Sequence, residues 1–157
     1  MIVEPQYFQS DDWLRIRKTQ NVVLISGCFT PFGVFELDYV LSARHHGLII
    51  CVVNNDISTR KQRSYDFHPE RERLKIVDSA NAEGYNLLSQ MESADIENEI
   101  SLIKPDIFFK NSKHTLQTLP QKEIDICKEL GCQIVFDVRH NHASEFRSNM
   151  GKFYNYR

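Results

Sequence analysis

Residues 21–40 read NVVLISGCFTPFGVFELDYV. Val22–Ser26 is a solid apolar run with no polar alternation, the pattern of a strand buried on both faces. Gly27 breaks it, and after a short turn Phe35–His46 carries a helical pattern closed by Gly47. A strand that passes through a glycine into a helix N-terminus suits phosphate, because backbone N–H groups converge there and the helix dipole favours an anion.

The same alternation continues on both sides. Ser10-Asp11-Asp12 caps a short helix through Lys18, and Leu48–Asn54 is a second continuous apolar strand. Residues 54–61 read as a polar loop. Pro69 opens a helix over Glu70–Ala80, Tyr85–Leu88 is a weak strand, and a helix spans Ala94–Ile103. Ile107–Phe109 is a strong strand. A helix opened by Pro120 runs to Leu130 with Gly131 as its stop, Gln133–Val138 is the last strand, and a short helix follows from Ser144. Apolar strands between amphipathic helices predict one doubly wound α/β domain over 1–157, Rossmann-like, with a parallel sheet of about five strands and Val22–Ser26 central. Ligands of such folds sit outside the carboxyl ends of the strands, which sets Gly27–Phe29, Asn54–Asp56 and Lys110–Ser112 on one rim.

A chain of 157 residues, 41% hydrophobic, is long enough for a real core. Its net charge of −2 speaks against a nucleic-acid binder. Cys28, Cys51, Cys127 and Cys132 form no C-x-x-C pair and read as buried thiols of a reducing compartment. With no leader pattern and no apolar stretch of about 18 residues, the expectation is a cytoplasmic protein without a membrane partner.

The segment Gly27-Cys28-Phe29-Thr30-Pro31-Phe32-Gly33-Val34-Phe35-Glu36 resembles the G-x-F-D-x-x-H-x-G-H motif of the cytidylyltransferase-like nucleotidyltransferases, the HIGH type. Gly27, Phe29 and the later Tyr39 fit. Val52-Val53-Asn54-Asn55-Asp56, with Arg60-Lys61, is similar to the second-strand motif of glycerol-3-phosphate cytidylyltransferases and heptose nucleotidyltransferases. Glu72-Arg73 resembles their E-R helix start, Lys104-Pro105-Asp106 through Lys110 their L-x-P-D-x-x-V-K segment, and Ser144 with Arg147 their last-helix motif. The resemblance covers roughly residues 20–150. It implies nucleotide or phosphate binding by Gly27, Cys28, Phe29, Thr30, Lys110, Ser144 and Arg147. It implies acceptor binding by Asn54, Asp56, Arg60 and Arg73, Mg²⁺ alongside any bound nucleotide, and a homodimer.

The departures fall on the chemistry. Thr30 replaces the aspartate, Gly33 and Glu36 replace the two histidines, and Phe35 replaces the glycine between them. Nucleotidyl transfer needs donors on the phosphoryl oxygens as charge builds there, and losing one such donor costs about 10²–10³ in rate. Gly33 has no side chain to donate. An ionised Glu36 only accepts, and beside a triphosphate it would repel by roughly 4 kcal/mol per charge pair at ~4 Å and an effective dielectric of ~20.

The other candidates carry weaker signals. His45-His46 sits at a helix C-terminus, where a cation suits the dipole. His140-Asn141-His142 is the one H-x-H spacing, His68 and His114 have no spacing signal, and Arg63 and Arg71 are further cations near the rim. The terminal aromatics Phe153, Tyr154 and Tyr156 call for packing on the domain or a partner. The reading is a divergent nucleotidyltransferase-like protein that binds a nucleotide or phosphorylated metabolite, with transfer lost or strongly reduced. The alternatives are an enzyme using Glu36 and a metal ion, and an interaction protein that keeps only the fold.

Overall fold

The structure, a computed structural model, describes residues 1–63 and 66–138. The expected last helix, Ser144, Arg147, His140, His142 and the aromatic terminus lie outside those residues. Five parallel strands form one sheet in the order β3-β2-β1-β4-β5: β1 Val22–Gly27, β2 Leu48–Val53, β3 Tyr85–Leu88, β4 Ile107–Lys110 and β5 Gln133–Phe136. The apolar run Val22–Ser26 is thus the central strand, as expected, with a strand on each side and helices on both faces. Strand order reverses at β1, and the crevice of such a reversal opens between β1 and β4.

Alternate residues of the strands fill two cores. Val22, Leu24, Ile50, Val52 and Phe108 pack against Trp13, Ile96, Ile100, Ile103 and Cys127, which come from α1 (Asp11–Thr19), the residue capping α5 (Glu97–Ile103), α5 itself, and α6 (Gln121–Leu130). Val23, Ile25, Ile49, Cys51, Val53 and Phe109 pack on the opposite face against Tyr39, Val40, Ala43, Leu74 and Val77, from α2 (Val34–Arg44) and α4 (Glu70–Ala80). Each fully buried Leu, Ile or Phe in these layers stabilises the fold by roughly 1.5–3 kcal/mol. All four cysteines are free and buried. Among the described residues no helix is long and apolar enough to cross a membrane.

Three boundaries depart from the sequence reading. Residues 54–61 are not a loop: Asp56–Arg63 is a helix, α3. Asn55 caps it, its side-chain oxygen accepting from the Ser58 N–H at 2.9 Å, while Asp56 begins it and Arg60, Lys61 and Arg63 end it, as the dipole prefers. The helix buries Ser58 and Thr59 rather than an apolar stripe, so it gives no hydrophobic periodicity to read. The helix expected from Ala94 begins at Glu97, and the last strand ends at Phe136. A 3-10 helix at Pro5–Gln9 and a bridge of Ile2 to Asn86 beside β3 were not anticipated. Gly47 stops α2 two residues past its cap at φ +150, where a Cβ would meet the Asn21 carbonyl oxygen at 2.2 Å.

Candidate functional site

Register assembles the rim. Leu24 opposite Phe108 puts Ser26 level with Lys110, and Gly27 opposite Val53 puts Cys28 beside Asn54. The Lys110 ammonium accordingly lies 3.5 Å from the Ser26 hydroxyl and 5.0 Å above the Phe108 ring, and the Asn54 amide donates to the Cys28 sulfur at 3.5 Å. After Gly27 the chain turns sharply. Phe29 takes φ +51, a conformation costing a non-glycine residue on the order of 1 kcal/mol. It holds because the ring is buried and stacks on Phe32 at 6.1 Å. The Thr30 hydroxyl accepts from the Phe67 N–H at 3.0 Å, which ties the turn to the segment before α4.

Arg73 is the keystone of this rim. Fully buried, it donates to the carbonyls of His68 at 2.9 Å, Cys28 at 2.7 Å and Asn54 at 2.7 Å, and to the Asp56 carboxylate at 2.8 Å. Asp56 also lies 3.8 Å from Arg60, which pairs with Asp66 at 3.1 Å. Of the four residues to which the resemblance gives an acceptor role, Asp56, Arg60 and Arg73 are joined to one another. Asn54 keeps a buried Oδ1 with no hydrogen-bond partner among the described residues.

Two adjoining cavities share the Ser26–Cys28 turn, Arg63, Asn111 and His114. The outer, about 90 Å³, is also lined by Phe35, Glu36, Tyr39 and Lys113. The inner, about 230 Å³, reaches Asn54, Lys110 and Glu123. The outer cavity is cationic on one side. Burial, followed by the charges of Lys110, Lys113 and Arg63, pushes His114 down to about 4, so it is neutral at pH 7. Burial likewise lowers Lys110, an effect opposed by Glu123. The buried Arg63 Nε has no hydrogen-bond partner among the described residues. On the other side, the Glu36 carboxylate accepts the Gly33 N–H at 2.9 Å, closing the N-terminus of α2 with its own negative charge. Where the resembled motif has imidazole donors, this chain has a carboxylate turned back on the helix. Tyr39, by contrast, is structural: its hydroxyl donates to the Phe109 carbonyl at 2.5 Å, and burial raises its pKa well above the ordinary value.

Glu123 was not anticipated. In the sequence it is an ordinary acid in the first turn of a helix, and no spacing marks it. In the fold it is buried. One carboxylate oxygen accepts from the Ile96 N–H at 3.1 Å and the other has no partner among the described residues; burial raises its pKa, and Lys110 pulls the other way. Asn111, inside the Lys110–Ser112 segment expected on the rim, lines both cavities. No group of three or more side chains suited to hold a metal ion occurs among the described residues.

The parallel order and the reversal at β1 define a doubly wound, Rossmann-type α/β fold. Solved structures agree. A lipopolysaccharide core biosynthesis protein from Thermoplasma volcanium superposes with a TM-score of 0.65 at 19% identity, over 77% of this chain and 98% of that one. Pantoate-beta-alanine ligase from Francisella tularensis, solved in complex with beta-gamma ATP and beta-alanine, matches with a TM-score of 0.53 at 10% identity, over 87% of this chain and 66% of that one. A protein from Archaeoglobus fulgidus matches with a TM-score of 0.57 at 16% identity, over 76% of this chain and 95% of that one. At these identities the likeness is one of fold. No protein-family model matches the sequence, and no curated protein matches it.

Proposed function

We propose that the protein binds a phosphorylated small molecule at the carboxyl rim of β1 and β4 and transfers nucleotides slowly or not at all. The observation that carries this reading is the buried Arg63 Nε, which has no hydrogen-bond partner among the described residues and belongs to a residue lining a cavity with Lys113 and His114 that adjoins the Lys110 ammonium. A buried guanidinium N–H without an acceptor is costly, and a phosphate oxygen supplies a charge-assisted one. Glu36 works in the other direction. Its charge closes the helix N-terminus that would otherwise attract the anion, so a monophosphate or sugar phosphate is preferred to CTP or ATP. Loss of donors at Gly33 and Glu36 removes the groups that would stabilise charge during transfer. Mg²⁺ would accompany a nucleotide if one binds, and a homodimer would follow the habit of the resembled cytidylyltransferases.

Calorimetric titration with inorganic phosphate, sugar phosphates, CMP and CTP tests the binding. Arg63→Ala and Lys110→Ala should each weaken the tightest ligand by ~1–3 kcal/mol. Absence of any binding at millimolar concentration, or affinities unchanged in both variants, defeats the proposal and leaves the fold as an interaction scaffold.

A further inference from the structure

Cys127 and Cys132 face each other across the end of α6. Gly131, at φ +69, stops that helix in a Schellman turn: the Cys132 N–H donates to the Cys127 carbonyl at 2.8 Å, and the Gly131 N–H to the Lys128 carbonyl at 3.3 Å. The shorter bond limits how far apart the two α-carbons can lie. With standard backbone dimensions on either side of it, they are at most about 6.7 Å apart, within the roughly 4.4–6.8 Å that a disulfide spans. Both side chains belong to the same core layer. A hydrogen bond between the two thiols holds Cys132 below its ordinary pKa, against burial, and pushes Cys127 up. Cys132 begins the turn into β5, an edge strand, and sits between two exposed residues, Gly131 and Gln133. A Cβ added to Gly131 would meet nothing within 4 Å, so the turn faces open space. Cys51, by contrast, lies in the core on the other face of the sheet, and Cys28 at the rim.

We propose that Cys127 and Cys132 form a dithiol site that a small hydroperoxide oxidises to an intramolecular disulfide, independently of the phosphate site. The Cys132 thiolate attacks a peroxide oxygen, the O–O bond breaks, and the leaving oxygen takes the proton that Cys132 gave up. Cys132 is then a sulfenic acid. The Cys127 sulfur attacks the Cys132 sulfur, the S–O bond breaks, and the hydroxyl leaves as water with the Cys127 proton. The two thiols together lose two electrons, which the hydroperoxide gains as it becomes an alcohol or water. The order of attack follows from position: Cys132 is 8% exposed, whereas Cys127 is 1% exposed and has the Cys132 thiol beside it. So little exposed sulfur suits a co-reactant of nearly water size, and a bulky disulfide would have to displace the turn. The bridge ties the end of α6 to the start of β5, and the Schellman turn already holds both ends at disulfide distance. A thiol reductant reverses it, as suits a redox site in a reducing compartment.

The test treats the full native chain with stoichiometric hydrogen peroxide, blocks the remaining thiols with an alkylating agent in denaturant, and maps the peptides by mass spectrometry. The expected product carries a Cys127–Cys132 bridge within one chain, is lighter by two hydrogens, and returns to the starting mass with dithiothreitol. All four cysteines are buried, and buried thiols are ordinarily inert, so burial alone predicts no selectivity. The bridge should instead form at least about ten-fold faster than Cys28 or Cys51 is lost, because those two react only when the fold opens. Cys127→Ser should stop at a Cys132 sulfenic acid that dimedone traps, and Cys132→Ser should trap none at Cys127. Thiols that survive peroxide unchanged, loss of all four at similar rates, or bridges between chains would each overturn the proposal. Equal trapping in the two variants overturns the assignment of Cys132 as the attacking thiol. The wild-type map needs no variant to fold.

Discussion

Replacing Arg73 with methionine keeps most of the side-chain volume and removes the guanidinium. The carbonyls of His68 and Cys28 then lose their donor, that of Asn54 keeps only the Thr59 hydroxyl at 3.2 Å, and Asp56 loses its nearest cation. Breaking a buried pair from the side of one partner costs about 3–5 kcal/mol. Asp56 is 21% exposed and can recover some hydration, which lowers the total, whereas the Cys28 and Asn54 bonds are buried, which raises it. In a domain of this length a loss of that size lowers the melting temperature by roughly 6–20 °C. Urea unfolding followed by circular dichroism should show a shifted midpoint at an unchanged slope. Arg73→Lys should fall between the two, since an ammonium lacks the fork that reaches four acceptors at once. Asp56→Asn should cost less than either, because that partner is partly solvated. A loss below about 1 kcal/mol for Arg73→Met, the scale of a surface ion pair, would refute the clamp.

Three further outcomes follow from the site and the turns. His114 should titrate near 4 by NMR rather than near its ordinary value of 6.5. Because its folded pKa is the lower one, the unfolded chain takes up more protons between those values, so its contribution destabilises the fold as pH falls through that window. Lys110→Ala should move its midpoint upward; a midpoint near 6.5 in the wild type would show that neither burial nor the cationic cluster acts on this ring. Glu36→Gln keeps an oxygen for the Gly33 N–H and deletes the charge, so inorganic phosphate should bind tighter by about 1–2 kcal/mol. Pyrophosphate release from CTP or ATP with phosphorylated acceptors should stay at background in both forms, and robust wild-type turnover would contradict the reading of the motif. Gly47→Ala forces a Cβ to 2.2 Å from the Asn21 carbonyl oxygen at φ +150 and should destabilise by at least ~2 kcal/mol in denaturant titration.

The fold was legible because it depends on local patterns that repeat. Val22–Ser26, Leu48–Val53 and Ile107–Phe109 are apolar on both faces, and only a strand covered by helices on both sides can bury such a run. Gly27 and Pro69 mark boundaries by their own backbone chemistry, as does Gly131 at φ +69. α3 was missed for the complementary reason: it is held by an Asn55 cap and two buried hydroxyls, with no apolar stripe in the sequence.

Residue type at a given spacing was therefore enough for the parallel sheet, the central place of β1, and the absence of imidazoles at positions 33 and 36. How the polar residues are spent emerged only once the chain was folded. Arg73 and Asp56 look alike in sequence to ligand-binding residues, yet they clamp the rim, while Glu123 looks like a solvated helix acid and stands buried beside Lys110. A charged side chain's role is fixed by which acceptors and donors reach it when water is excluded. Its partners here come from far along the chain, the Cys28 carbonyl 45 residues from Arg73 and the Ser26 hydroxyl 84 residues from Lys110.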